Sequence, residues 1–405
     1  MEGMESVFNQ SRRRFVPSFM EKLEMERAEK KIIELLKANI DKRKIKADLK
    51  VAGSYAKGTW IRGESDIDIF VLFDSEEDTK LLSQIVPKSF KAERGTRRYF
   101  RGRINGIDVE VVPLVKFDRL EDVKNSIDLS VLHIDYVNSH SSEQQKKDII
   151  ILKRFCQAND CYGSETYKHG FSGYVLELLI LKYGSIKGLF DAVLNWKDNE
   201  FIDLEGFYKS RSEAVSSIGA KDNHLIIVDP TNRRRNVCGS LSLENLSKFV
   251  LAVKQFAFKP SMRFFETKNL EAESKRMSKS RGTKLFETKL RIEGPRDMFL
   301  SKLSSRLRDL IEELQREDIQ VYSHRIIERE KEAKVLIEIG NVPTTKTRRI
   351  SGPSVWLNYK DLSNFFKKHR DVYAADDKIS YDLNYPFKDV NKFIYSRIKS
   401  ILKSA

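Results

Sequence analysis

Between Gly53 and Phe70 the chain reads GSYAKGTWIRGESDIDIF, a glycine-serine turn that leads into Asp-Ile-Asp on an alternating apolar run. The alternation is the stronger constraint. Ile67, Ile69, Val71 and Phe73 fall on one face of an extended strand, and Asp66 and Asp68 fall together on the other. The fold must therefore hold a sheet with one buried face, and must present two carboxylates side by side at the start of one strand.

A second acidic strand is expected beyond it. RRYFRGRINGIDVEVVPL places Asn105-Gly106, a pair suited to the positive φ angles of a two-residue hairpin turn, between two strand-like runs. In the second run Ile107, Val109 and Val111 alternate with Asp108 and Glu110, so a third acid is presented; periodicity does not choose between the two. Three carboxylates from neighbouring strands suit one or two hard divalent cations, because Mg²⁺ takes carboxylate oxygen and completes its shell with water and substrate phosphate. Gly53 lets the backbone approach phosphate oxygens closely, and Ser54 offers N–H and hydroxyl donors. An isolated D-x-D is commonly a solvated strand face, so the combination carries the reading. GSYAKGTW is not a G-x-x-x-x-G-K-[ST] phosphate loop, because Thr59 and Trp60 stand where the lysine and the hydroxyl belong.

The rest of the chain organises around this piece. PSFMEKLEMERAEKKIIELLKANI, from Pro17, has Met20, Leu23, Ile32, Leu35 and Leu36 at helical spacing, and ADLKVAG reads as a strand entering Gly53. After about Ser141 the chain turns helical, with one strand-like piece, HLIIVDP, followed by SLSLENLSKFVLAVKQFAF, a helix with a serine cap. NLEAESKRMSKSRG, 269–282, is polar and charge-rich and reads as a linker or loop; beyond it the order is β-α-β-β with a basic terminal helix. The expectation is a multidomain α+β protein, with a mixed-sheet head over 1–142, a mostly helical middle over 143–260 and a small α/β tail over 261–405.

Charge narrows the partners. Lys and Arg number 74 against 59 Asp and Glu, a formal net charge of +15, which favours encounter with a polyanion. Cys156, Cys161 and Cys238 form no C-x-x-C pair, which fits buried thiols in a reducing cytoplasm. The most apolar run, YVLELLILKY, carries Glu177 and Lys182, and the N-terminus has no cationic start before an apolar core, so neither a membrane span nor an export signal is expected.

GSYAKGTWIRGESDIDIF together with IDVEVVP resembles the catalytic core of the polymerase β-like nucleotidyltransferases, and in wording the archaeal (class I) CCA-adding enzymes, the tRNA nucleotidyltransferases. ILKRFCQANDCYGSETYKHGFSGYVLELLILKYGS, DPTNRRRNVCGSLSLENLSKFV and YSHRIIEREKEAKVLIEI extend the likeness over most of the chain. It implies a catalytic nucleotidyltransferase head, a middle that binds nucleotide and tRNA, and a tail that contacts tRNA. The implied reaction is addition of C, C and A to the tRNA 3′ end from CTP and ATP, without a nucleic-acid template, with repair of trimmed ends.

The resemblance also implies roles. Asp66, Asp68 and Glu110 would be the catalytic carboxylates and the ligands of two Mg²⁺ ions, and the acid two residues before Val-Pro selects Glu110. Glu110 departs from the aspartate of relatives, and Lys57 stands where they often carry arginine. With Gly53 and Ser54, Lys57 would face the triphosphate; IDLSVLH, set against Asp-Arg-Thr-x-x-His, would bring Ser130 to the ribose and His133 to the phosphates, with Leu129 in place of the arginine. Lys153 and Tyr162 match residues that hold the triphosphate, and Arg235, last of the RRR in DPTNRRRNV, matches the arginine that reads the base. Arg348, Arg349, Lys367, Lys368, Arg370 and Lys392 would contact the tRNA backbone, which is recognised by shape and charge. Relatives imply a homodimer in the cytoplasm. The competing readings are a poly(A)-type or oligoadenylate-type nucleotidyltransferase, and an inactive RNA-binding relative, the latter prompted by Leu129 and Glu110.

Overall fold

The computed structural model describes residues 3–64, 66–94, 97–120, 123, 126–340, 347–385 and 389–403. The chain divides into two compact units, Met1–Thr267 and Lys268–Ala405.

The first unit opens with helices α1 (Met4–Phe15) and α2 (Phe19–Arg43). Ser18 starts α2 through a capping box: its hydroxyl accepts from the Glu21 N–H at 3.3 Å, and the Glu21 carboxylate accepts from the Ser18 N–H at 2.8 Å. The buried stripe of α2 runs through Met25, Ala28, Ile32, Leu36 and Ile40, whereas Met20 and Leu35 are exposed, so only part of the expected apolar set faces the core. Then follow β1 (Ala47–Ala52), the one-turn α3 (Gly53–Ala56), β2 (Asp66–Phe73), α4 (Leu82–Ile85), β3 (Lys91–Arg94), β4 (Arg98–Ile104) and β5 (Ile107–Val115). They form a mixed sheet in the order β1-β2-β5-β4-β3, in which β2 and β5 are parallel and the other pairs antiparallel. Asn105 and Gly106 carry φ of 52° and 85° and close the β4–β5 hairpin as the sequence requires. Ile67, Ile69, Val71 and Phe73 pack with Val109 and Val111 against the α2 stripe, which turns the carboxylate face of β2 the other way.

The chain continues with α5 (Ser130–His140), α6 (Glu143–Ala158), α7 (Gly173–Tyr183), α8 (Ile186–Val193), β6 (Glu200–Ile202), α9 (Arg211–Ile218), β7 (Leu225–Asp229), β8 (Asn232–Asn236) and α10 (Leu243–Phe258). Ser142, Ser172, Ser185, Ser210 and Ser242 each cap a helix by accepting a backbone N–H, which is why the serine breaks in the sequence mark helix starts. Phe155, Phe190, Phe249, Phe256, Phe264 and Phe265 build an aromatic core, and α1 joins it through Val7, Phe8 and Phe15. An ion pair of 2.8 Å from Arg12 to the buried Asp148 fastens α1 to α6. The three cysteines are free and buried.

The second unit begins with α11 (Leu270–Arg281), which corrects the expected linker. Asn269 caps this helix by accepting from the Ala272 N–H at 3.0 Å, Gly282 ends it at φ +69°, and Glu271 pairs with Lys275 one turn on. Its described buried residues are Ser274 and Ser278, so there is no apolar stripe to betray it. The β-α-β-β order then appears as β9 (Lys284–Arg291), α12 (Arg296–Arg316), β10 (Val321–Glu328) and β11 (Glu332–Ile339), with sheet order β10-β11-β9. A further sheet of β12 (Thr347–Ser354), β13 (Val372–Ala375) and β14 (Lys378–Asn384) follows with α13 (Tyr359–Lys368), and α14 (Val390–Lys403) comes last. Among the described residues no helix is long and apolar enough to cross a membrane.

Candidate active site

Gly53 sits at the point where β1 gives way to α3, with φ +67°. A Cβ there would overlap the Asp68 carboxylate, so two independent constraints, the backbone angle and the close approach, require glycine. The turn that carries Ser54 is thereby pressed against the acid on β2.

The parallel register sets Asp68 opposite Glu110 and Asp66 opposite Asp108. Asp108 is engaged elsewhere: it accepts from Arg103 at 2.7 Å, a bond that lowers its pKa. Burial, followed by the charges of Asp66 and Glu110, pushes the Asp68 carboxyl up to about 7 against the opposing pull of Lys57 and Arg101. Burial also raises Glu110, which pairs with Arg101 at 2.7 Å. Among the described residues no three acidic, histidine or cysteine side chains already converge as a metal cage. The donor set nevertheless suits a hard divalent cation: the ligands are carboxylate oxygens, and their mutual repulsion with burial favours a bound positive charge.

Lys57 and Lys153 meet at a residue the sequence reading did not single out. Glu177, on α7 and wholly buried, accepts from Lys57 at 2.6 Å, from Lys153 at 2.9 Å and from the Thr59 hydroxyl at 2.9 Å. Burial alone would raise Glu177; the two ammonium groups outweigh it and hold the carboxyl at about 2. Lys153 is pushed down by burial, with Lys57 adding to the effect, since two ammonium groups share one carboxylate. Tyr162 lies beside this group: a Cβ on Gly173 would stand 3.4 Å from both the Lys153 Nζ and the Tyr162 Oη. A glutamate inside YVLELLILKY was the available signal, because a charge in so apolar a run must be paired if it is buried.

His133 and Arg235 also converge, through Asp229 at the end of the buried strand β7. Asp229 Oδ2 lies 2.8 Å from Arg235 Nη1 and 3.1 Å from His133 Nε2, and Oδ1 accepts from the Thr231 N–H and hydroxyl and from Tyr174. Burial would raise Asp229, but its bonds to His133 and Thr231 override that and hold it at about 2. The His133 ring stacks on Tyr174 at 4.0 Å. Ser130 opens α5, and the turn before it is anchored by Asp128, which accepts from the Val115 N–H at 3.1 Å and from buried Arg97 at 3.0 Å. Leu129, at the position that the resemblance sets against an arginine, is buried.

Three family models match in succession: the nucleotidyltransferase domain over residues 30–155, the second domain of tRNA nucleotidyltransferases over 147–266, and the C-terminal domain of CCA-adding enzymes over 281–404. The CCA-adding enzyme of Nanoarchaeum equitans is 29% identical over 397 residues, covering 95% of this chain and 96% of that protein. The enzyme of Methanothermobacter thermautotrophicus is 27% identical over 369 residues, covering 87% and 79%.

The chain is a homologue of the archaeal CCA-adding enzymes. It is thus a nucleotidyltransferase of α+β architecture. Among solved structures the Cid1 poly(U) polymerase shares the fold, with TM-score 0.52 and 14% identity over 64% of this chain and 98% of its own. In the second unit of this CCA-adding enzyme homologue, Arg349, Lys367, Lys368, Arg370 and Lys392 are exposed. Arg348 is instead largely buried and paired with Glu317 at 3.1 Å.

Proposed function

We propose that the chain adds C, C and A in turn to the 3′ end of tRNA from CTP and ATP, and restores trimmed ends, by in-line attack of the tRNA 3′-hydroxyl on the α-phosphate with release of pyrophosphate. The observation that supports it most is the Gly53 turn packed onto Asp68, with Glu110 in register across the strand pair. Asp66, Asp68 and Glu110 would hold two Mg²⁺ ions, whose chemistry there is to acidify the attacking hydroxyl and to offset charge on the leaving pyrophosphate. Ser54, Lys57, Lys153 and Tyr162 bind the phosphate tail and hold the α-phosphorus in line. His133 and Ser130 orient the phosphates and the ribose. Arg235, its guanidinium held by Asp229, donates to acceptor atoms that cytosine and adenine share in position and that guanine and uracil lack. The exposed cations of the tail bind the tRNA backbone, and the enzyme acts on the cytoplasmic tRNA pool as a homodimer.

The test uses tRNA transcripts ending at the discriminator base, at C and at CC, with Mg²⁺ and each nucleotide separately. Two C additions, one A and then a stop are expected. A ladder of A residues would replace this reading with a polyadenylating one, and tRNA binding without any addition would replace it with an RNA-binding one.

A further inference from the structure

We propose that Glu177 is the positioning residue of the triphosphate site, a buried carboxylate that aligns the ammonium groups of Lys57 and Lys153 for the phosphate tail of the incoming nucleotide. This rests on the nucleotidyl-transfer reading above and adds Glu177 and its partner Thr59 to it. The lysines arrive from separate pieces of chain, Lys57 just after α3 and Lys153 from α6, while Glu177 comes from α7. Each carboxylate oxygen has a defined task. Oε2 takes Lys57, and Oε1 takes Lys153 and the Thr59 hydroxyl. Thr59 completes the frame by accepting from Lys153 through its own hydroxyl at 2.9 Å and its carbonyl at 3.1 Å.

Glu177 is 0% exposed, so it meets no ligand itself; it acts through the lysines. Among the described residues Glu177 is the one carboxylate bonded to the two ammonium groups, which leaves the cluster itself with a surplus positive charge that an anion relieves. Lys57 is close enough to Asp68 to favour its ionised form, so the surplus charge lies on the side of the catalytic acids, where a triphosphate must lie. Gly173 keeps the neighbouring space open, since a Cβ there would press on the Lys153 side chain at 3.3 Å and on the Tyr162 hydroxyl at 3.4 Å.

The test compares Glu177→Asp and Thr59→Val with the unaltered chain, titrating CTP, ATP and inorganic tripolyphosphate by calorimetry without tRNA, and tRNA separately by filter binding. Glu177→Asp keeps the charge and withdraws it by one methylene. All three phosphate ligands are expected to weaken by a common factor of about tenfold or more, with KM rising more than kcat falls. Folding by circular dichroism and tRNA affinity stay unchanged, and Thr59→Val moves the same constants less. A merely structural glutamate would alter thermal stability without that common factor. Unchanged ligand affinities in folded Glu177→Asp overturn the proposal, as does a loss confined to CTP and ATP with tripolyphosphate untouched. If Glu177→Asp does not fold, wild-type affinities in Thr59→Val overturn it. Normal CCA addition alongside unchanged affinities refutes the role of Glu177 alone, whereas weakened tripolyphosphate binding without CCA addition by the unaltered chain refutes the tRNA reading alone.

Discussion

Two neighbouring charge clusters in the first unit are unbalanced in opposite senses. On β2 and β5, Asp66, Asp68 and Glu110 crowd negative charge that Lys57 and Arg101 only partly offset, and Asp68 responds by holding its proton up to about pH 7. Around Glu177, two ammonium groups share one carboxylate that stays ionised down to about 2. The centre at Asp229 is different again: its carboxylate is met by Arg235, His133, Tyr174 and Thr231. Surplus charge of either sign marks where a ligand of the other sign belongs, and a carboxylate satisfied on every side marks a residue that holds others in place. Lys57 connects the two unbalanced clusters, being bonded to one and felt by the other.

The largest effect should come from removing the negative surplus. Asp68→Asn is expected to lower nucleotide addition by about a thousandfold or more, as loss of the metal ligand proposed above demands, while leaving tRNA affinity intact in filter binding. Its stability should move the other way. The folded pKa of Asp68 lies above its unfolded value of 3.8, so in EDTA the folded state binds more protons between those limits, and stability falls as pH rises from about 4 to about 7. The difference between unaltered chain and Asp68→Asn, followed by denaturant unfolding across that window, should grow in favour of the variant and flatten above it. A variant less stable at pH 8 than the unaltered chain would dispose of the crowding argument.

Removing the negative partner from the positive cluster should do the reverse. Glu177→Ala strands two buried ammonium groups and is expected to cost about 3–5 kcal/mol in the unfolding of the first unit. The depressed pKa of Glu177 means that this contribution is complete above about pH 4.5 and fades as pH falls toward 2, so the two proteins should converge in acid. The balanced centre should show a smaller, selective effect. Arg235→Ala is expected to reduce the preference for CTP and ATP over UTP and GTP by about 10–100-fold, with tRNA affinity little changed, in single-nucleotide incorporation assays.

How much of this was legible follows from the range of the interactions. The period-two pattern of β2, the Asn105-Gly106 turn and the serine caps are local, and the sequence states them directly. The pairing of Lys57 with Glu177 spans 120 residues, and that of His133 with Asp229 spans 96, so no window on the chain contains either pair. The residue types drew notice, and only the packing of α7 and β7 says what they touch. Helix α11 was hidden for another reason. It is held by its cap and by charged pairs, and a helix without an apolar stripe has the composition of a linker. Likewise Leu129 reads by resemblance as a lost arginine, and its burial is seen only in the structure.

The smallest effects, and the sharpest contrast of satisfied with unsatisfied charge, are expected in the second unit. Arg348 and Lys367 were equivalent in sequence, two cations in a basic tail. In the structure Arg348 is tied to Glu317 with 14% of its side chain exposed, while Lys367 and Lys368 stand in solvent at the last turn of α13. A cation already paired gains little from a phosphate, because it must surrender its carboxylate first; an exposed lysine surrenders only water and counterions. Lys367→Ala and Lys368→Ala should therefore each weaken tRNA binding a few-fold, about equally for all tRNAs, and each lower the slope of log affinity against log salt by about one. Arg348→Ala should leave that slope unchanged and instead lower the thermal stability of the second unit. If Arg348→Ala flattens the salt dependence as the lysines do, the ion pair with Glu317 opens on tRNA binding, and burial in the free protein is a poor guide to which tail cations meet RNA.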